Sequence, residues 1–291
     1  MEKARIYADR ANQFRHESTD FPLWSALALE LLARAALTKI HPVLNADPRE
    51  DANLLYACGY AVTEQPKSLA LHAVFLRLEK TVPGFGKVQR ELCDYISILR
   101  NDELHGGSLP FEKLKESAWL PRYYEVCKVL CTYLGKSLSD LLGPDVSHAA
   151  DKLISALTKG LKKGVKDRIS AHTKVFQSKD APEKRRSVAQ AARMARFLPN
   201  GSTKYACPAC DSLGVLRGEL IKELRPSYED EQIIVDQEFL ATEFKCSVCE
   251  LNLRNPEEIA HAGIEPRFTG RRVTDLHELF EPEEPDPYMN M

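Results

Sequence analysis

Arg100-Asn101-Asp102-Glu103-Leu104-His105 brings a guanidinium, a small amide and an imidazole into one short stretch, directly before Gly106-Gly107. A guanidinium can pair two oxygens of a phosphodiester and steady the charge of a pentacoordinate phosphorus. An imidazole titrates near neutral pH, so it can take a proton from an attacking hydroxyl or give one to a leaving oxygen. The Asn101 amide can hydrogen-bond the phosphate or orient the histidine. This is the minimum set for opening a ribose-phosphate chain through its own 2′-hydroxyl without a metal. Asp102 and Glu103 could tune the imidazole, although exposed acids explain them more simply.

A second chemistry is written in cysteine. Cys207-Pro208-Ala209-Cys210 and Cys246-Ser247-Val248-Cys249 are two CxxC pairs separated by 35 residues. Two residues between thiolates let each pair chelate from one tight turn, and four thiolates close a tetrahedral zinc shell. Such a site leaves no open position, so the expected Zn2+ is structural, not catalytic. The segment resembles a zinc ribbon, with Phe244 and Leu251 placed to pack beside the knuckles. Asp211 and Glu250 stand where a glycine is common after each knuckle. The other cysteines, Cys58, Cys93, Cys127 and Cys131, are scattered through apolar helical sequence and read as buried free thiols.

Spacing alone does not single out Arg100. With 8 His in 291 residues, Arg10 to His16, Arg34 to His41, Arg254 to His261, and Arg271 or Arg272 to His277 fit a similar window. Arg100 differs in three ways. It ends a long apolar-periodic run, a polar residue follows it, and it lies in an all-helical segment. There the chain resembles the Arg-x4-His signature of the HEPN family, many of whose members are ribonucleases. The resemblance covers roughly residues 15–145. It implies catalytic roles for Arg100, Asn101 and His105, and a homodimer in which two motifs form one composite cleft. It also implies 2′,3′-cyclic phosphate and 5′-hydroxyl ends on the cut RNA. The RNA would be tRNA, mRNA or ribosomal RNA, in toxin–antitoxin or antiviral defence, with an antitoxin or defence-system protein as a possible partner. On an ideal helix His105 lies about 140° round from Arg100; a bend or the reach of arginine could reconcile them, and the resemblance implies another answer, a second copy.

The elements that must carry these residues follow from periodicity. Leu23 to Ala36 predicts a helix that ends at His41-Pro42. A second helix starts after Pro66 and reaches about Thr81; Pro83-Gly84-Phe85-Gly86 turns the chain. Val88, Leu92, Tyr95, Ile96 and Leu99 predict the helix that delivers Arg100. Pro110 begins a further helical pair, and Gly143-Pro144 closes the bundle. Trp24 and Trp119 read as core, and His41 and His72 as packed or helix-terminal. Leu134-Gly135-Lys136-Ser137 is not a phosphate-binding loop, because position 130 is leucine where that motif needs glycine.

Charge divides the rest. Lys159 to Lys204 holds 13 Lys or Arg against 3 Asp or Glu, a net of +10, which suits a phosphate backbone. Pro256 to Met291 holds 9 acids against 3 Arg, a net of −6. Residues 145–200 read as helical and basic, with a hinge between Ser170 and Pro182. Strands are expected at Leu213–Leu220, Gln232–Val235 and Phe239–Phe244. The fold class is therefore expected to be mainly α. Residues 1–145 would be a HEPN-like bundle, 146–200 a basic helical linker, 201–255 a small β zinc ribbon, and 256–291 an acidic flexible tail. With no apolar run of membrane-spanning length and no signal core, the expected compartment is the cytoplasm. The alternative to a nuclease is a non-catalytic dimerising module whose zinc ribbon binds nucleic acid or protein.

Overall fold

Apolar periodicity builds two cores, one on each side of Thr158, in a computed structural model that describes residues 1–229 and 231–275. The first unit, residues 1–158, is a helical bundle. Its helices are α1 (Glu2–Ala11), α2 (Asp20–Ile40), α3 (Asp51–Ala57), α4 (Leu71–Thr81), α5 (Lys87–His105), α6 (Glu116–Tyr133), α7 (Leu138–Leu142) and the start of α8 (Pro144–Ser178). α2 is the hub, with Leu29, Leu32, Ala33, Ala36 and Leu37 all buried in the core. By length and composition it could cross a membrane, but these side chains are spent on packing against α1, α4, α5 and α6. Trp119 and Tyr123 meet edge to face within this core, 5.3 Å between ring centres. Trp24 is partly buried, edge-on to Tyr7 and beneath the Arg10 guanidinium.

The bundle is larger than periodicity suggested. α1 is short and charged, yet Ala4, Ala8 and Ala11, spaced near one turn apart, let it lie close on α2. Gly143-Pro144 does not close the bundle; Pro144 is tolerated in the first turn of α8, and Ala150 of that helix is buried in the same core. Leu134-Gly135-Lys136-Ser137 is a helix-to-helix turn: Gly135 takes φ +75° and Ser137 caps α7 by accepting from the Asp140 amide. Cys93, Cys127 and Cys131 are buried, whereas Cys58, expected among them, is exposed. Burial pushes the Cys131 thiol up to about 12 and also raises Cys93 and Cys127, so these thiols pack as apolar groups.

The second unit overturns the mainly-α expectation: the fold is mixed α/β. Its strands, β1 (Ser202–Ala206), β2 (Leu213–Glu223), β3 (Ser227–Glu229), β4 (Gln232–Lys245), β5 (Asn252–Leu253) and β6 (Arg267–Asp275), make one six-stranded antiparallel sheet. Two causes hid it. The apolar runs at Gln232–Val235 and Phe239–Phe244 are one strand, because Gln237 between them is buried and hydrogen-bonded to Asn200 and Glu223. β6 falls in the segment expected as acidic tail, with Arg267, Thr269 and Arg271 outward and Phe268 and Gly270 turned inward. β4 is the central strand. β2 and then β3 pair along one edge of it, and β6 and β5 along the other. α10 (Pro256–His261), capped by Asn255, precedes β6. The acidic run Glu281–Pro287, with His277, lies outside the described residues.

The basic stretch is helical, as expected, but residues 170–178 continue α8 rather than bend. α8 continues through Ser170 to Ser178, and only Lys179-Asp180 separates it from α9 (Ala181–Met194). Asp180 caps α9 by accepting from the Glu183 amide at 2.7 Å. Val165, Ile169 and Phe176 of α8 form an apolar stripe in the core of the second unit, joined by Ala191 of α9. The lysines around that stripe mask its period in the sequence.

Candidate functional site

α5 ends as it must to present a histidine. The Gly106 amide donates to the Asp102 carbonyl at 2.7 Å. A Cβ on Gly106 would come within 2.1 Å of the Asp102 carboxylate and 2.6 Å of its carbonyl, so only glycine fits. Ser108 donates to the same carboxylate. Asp102 is thus spent on the turn, and His105 is the last helical residue. His105 and Asn101, one turn apart on the same face of α5, are both exposed. Neither makes a hydrogen bond or ion pair among the described residues.

Arg100 faces the other way. It lies on the side of α5 that also carries buried Cys93 and Ile96, and its Nη2 donates to Glu30 Oε2 of α2 at 2.8 Å. Glu30 Oε1 accepts from Arg34 at 3.0 and 3.1 Å, so one carboxylate bridges two guanidiniums. The Arg100 side chain is 16% exposed and its Nε has no hydrogen-bond partner among the described residues. One chain therefore brings Asn101 and His105 together but keeps Arg100 on the core side. Glu30 was missed in the sequence; its only signal was a lone acid in the middle of an apolar helix. Two of the rival arginine–histidine pairs are absorbed locally. Arg10 covers Trp24, His16 meets Glu116 at 2.8 Å, and His41 accepts from the Val43 amide. His72 is helix-terminal, in the first turn of α4, and exposed; it pairs with Asp94 at 2.8 Å.

Tyr95, Ile98 and His105 recur at helical spacing along the outward face of α5. Tyr95 is 49% and Ile98 64% exposed, and Leu104 and Leu109 add further exposed apolar surface near the helix end.

The four knuckle cysteines come together. The sulfurs of Cys207, Cys210, Cys246 and Cys249 all lie within 4.8 Å of one another. Cys207 to Cys249 is 3.5 Å and Cys210 to Cys246 is 3.6 Å. A tetrahedral thiolate shell with Zn–S of about 2.3 Å has sulfurs roughly 3.8 Å apart, so the donor set fits a metal ion such as zinc. Each knuckle is a tight turn: Asp211 donates to the Cys207 carbonyl, Cys207 to the Ser212 carbonyl, and Cys246 to the Leu251 carbonyl, each at 2.9 Å. Asp211 at φ +57° and Glu250 at φ +65° occupy the left-handed region that favours glycine. Without a metal, Cys246 titrates well below an ordinary thiol because Cys207 and Cys249 donate to it. Hydrogen bonds to Cys246 and Cys249 hold the Cys207 thiol up.

α8 supports both knuckles from behind. Thr173 donates to the Ala209 carbonyl at 2.9 Å, His172 Nδ1 to the Cys249 carbonyl at 2.6 Å, and Lys179 to the Val248 carbonyl at 3.0 Å. Arg168 pairs with Glu258 at 2.6 Å. These helix residues were not legible as part of a metal site, because nothing local joins them to cysteines so far along the chain. Compared with family models, curated proteins and solved structures, the chain matches none.

Proposed function

We propose that the chain is a metal-independent endoribonuclease that works as a homodimer in the cytoplasm. The observation that carries the reading is the Asn101–His105 pair. Amide and imidazole share one exposed helical face, hold no partner among the described residues, and stand at a helix end that only Gly106 permits. In the reaction the ribose 2′-oxygen bonds to the adjoining phosphorus and the bond to the 5′-oxygen breaks. One His105 takes the 2′-hydroxyl proton. The His105 of a second copy gives a proton to the departing 5′-oxygen. Asn101 orients the phosphate, and Arg100 must contribute from a second copy or by leaving Glu30. The exposed Tyr95–Ile98 stripe beside His105 supports pairing of two copies along α5. The four-cysteine cluster, as a structural Zn2+ site of ribbon type, would fold the second unit and take no part in the chemistry. HEPN-type defence or toxin–antitoxin work on tRNA, mRNA or ribosomal RNA is the biological setting this reading implies.

His105→Ala is the clean test, because His105 is exposed and unpaired among the described residues, so its loss leaves the fold intact. RNA cleavage with chelator present should fall at least about 100-fold, and the wild-type ends should be cyclic phosphate and 5′-hydroxyl. Cleavage that survives the substitution, or that needs added metal, sinks the reading. A second reading has its own support: the Arg100–Glu30 ion pair already satisfies part of the guanidinium. In that reading the bundle only dimerises and the second unit binds nucleic acid; retained binding with no cleavage by the wild type would favour it.

A further inference from the structure

Residues 159–204 of the second unit carry a net +10, and most of those cations are not taken up by partners among the described residues. Of the 13 Lys or Arg between Lys159 and Lys204, four have partners. Arg168 meets Glu258, and Lys179 meets Val248 and Glu183. Lys184 donates to the Gln177 carbonyl and covers Phe176, and Arg185 donates to the Ala181 carbonyl. The other nine, by subtraction, are exposed and have no hydrogen bond or ion pair among the described residues.

Their placement is ordered. On α8, Lys159, Lys162, Lys163, Lys166 and Lys174 fall within an arc of about 120°, beside the buried Val165–Ile169–Phe176 stripe. On α9, Arg186 and Arg193 lie about 140–160° from the buried Ala191. Both helices thus pack one face on the sheet unit and turn lysine or arginine outward. A row of unpaired cations at helical spacing suits the evenly spaced phosphates of a nucleic acid.

An aromatic ring stands among them. Phe197 is 90% exposed, follows Arg196, and lies four residues after Arg193. Its exposure is imposed by the backbone on both sides. Ala195 before it is buried, and after it Asn200 donates to the buried Gln237 at 2.9 Å, while Ser202 donates to the Pro199 carbonyl at 3.2 Å. An isolated exposed aromatic is ordinary. One flanked by free arginines, on a segment pinned at both ends, has the makings of a base-stacking platform.

We infer that the second unit binds single-stranded nucleic acid, with the α8 lysines and α9 arginines on phosphates and Phe197 stacked on an unpaired base. The inference does not depend on cleavage. A short fluorescent 2′-deoxy oligonucleotide, which lacks the hydroxyl that the proposed cut requires, keeps the two separable.

The test is anisotropy titration of the full-length, zinc-loaded chain. Phe197→Ala should weaken binding about 5- to 150-fold, the range that loss of one stacked base gives. Lys162→Gln with Lys166→Gln should lower the slope of log affinity against log salt by about 1.4, at 0.7 per phosphate contact on a single strand. No binding by the wild type, wild-type affinity in Phe197→Ala, or duplex competing as well as single strand would each overturn the inference. An unchanged salt slope in the lysine variant would remove α8 from the site. If Phe197→Ala instead lowers the mass in light scattering and leaves oligonucleotide binding intact, the ring belongs to a protein contact and the inference fails.

Discussion

At the residue scale, Gly106, Glu250 and Glu30 can each be tested singly. Gly106 cannot carry a side chain without moving the Asp102 backbone, whereas a Cβ on Gly107 meets nothing within 4 Å. Gly106→Ala should cost about 1–3 kcal/mol and disturb His105, while Gly107→Ala should be close to neutral; denaturation midpoints of the pair decide it. Asp211 and Glu250 run the other way. Both sit at positive φ, so Glu250→Gly should raise the stability of the metal-loaded chain by about 1 kcal/mol. A fall in midpoint would mean that the Glu250 side chain serves the knuckle in a way its backbone angle does not explain. Glu30 joins Arg34 and Arg100. Glu30→Gln should destabilise the bundle by about 1.5–3 kcal/mol, the worth of hydrogen bonds to charged groups.

At the scale of elements, the bundle and the sheet depend on different things. α2 buries Leu32 and Leu37 completely, so Leu32→Ala should cost about 2–5 kcal/mol with or without metal. The sheet unit has a smaller core that includes three of the four knuckle cysteines themselves. Chelation should therefore strip hydrogen-exchange protection from β2, β4 and residues 165–176 while α2 and α6 keep theirs. Equal loss in both would show that the metal is not what folds the second unit. This division also explains what could be read from the sequence. α2, α4 and α5 were legible because a long apolar stripe at helical period has no competing explanation. The cysteine cluster was legible because CxxC spacing lets each pair chelate from one tight turn. β6 and the apolar stripe of α8 were not: each alternates its few inward residues with Arg or Lys, and composition alone then reads as linker or tail. Nor could periodicity show that Arg100 turns inward to a carboxylate on another helix, since an ion pair across 70 residues leaves no local trace.

For the whole molecule, the weight falls on whether copies associate. Ile98 projects from α5 with most of its surface in water. If pairing runs along that face, Ile98→Asp should halve the mass in light scattering and abolish cleavage while the helical circular dichroism stays unchanged. A monomeric wild type that still cuts RNA would remove the need for a composite cleft. Charge segregation acts at the same scale: a net +10 between Lys159 and Lys204 makes any polyanion binding fall steeply with ionic strength.

The pairing of β6 with β4 has a consequence for how the protein is born. During vectorial synthesis all four thiols have left the ribosome once Cys249 is free, yet the strand that seals the far edge of β4 begins only at Arg267. Gathering of the four thiols, which could hold a metal ion, can thus come first, with a bare nine-residue ladder waiting for its last neighbour. A clone that stops after residue 255, where a ribbon alone would seem complete, would leave that ladder open from Gln232 to Leu240 and invite strand-to-strand aggregation.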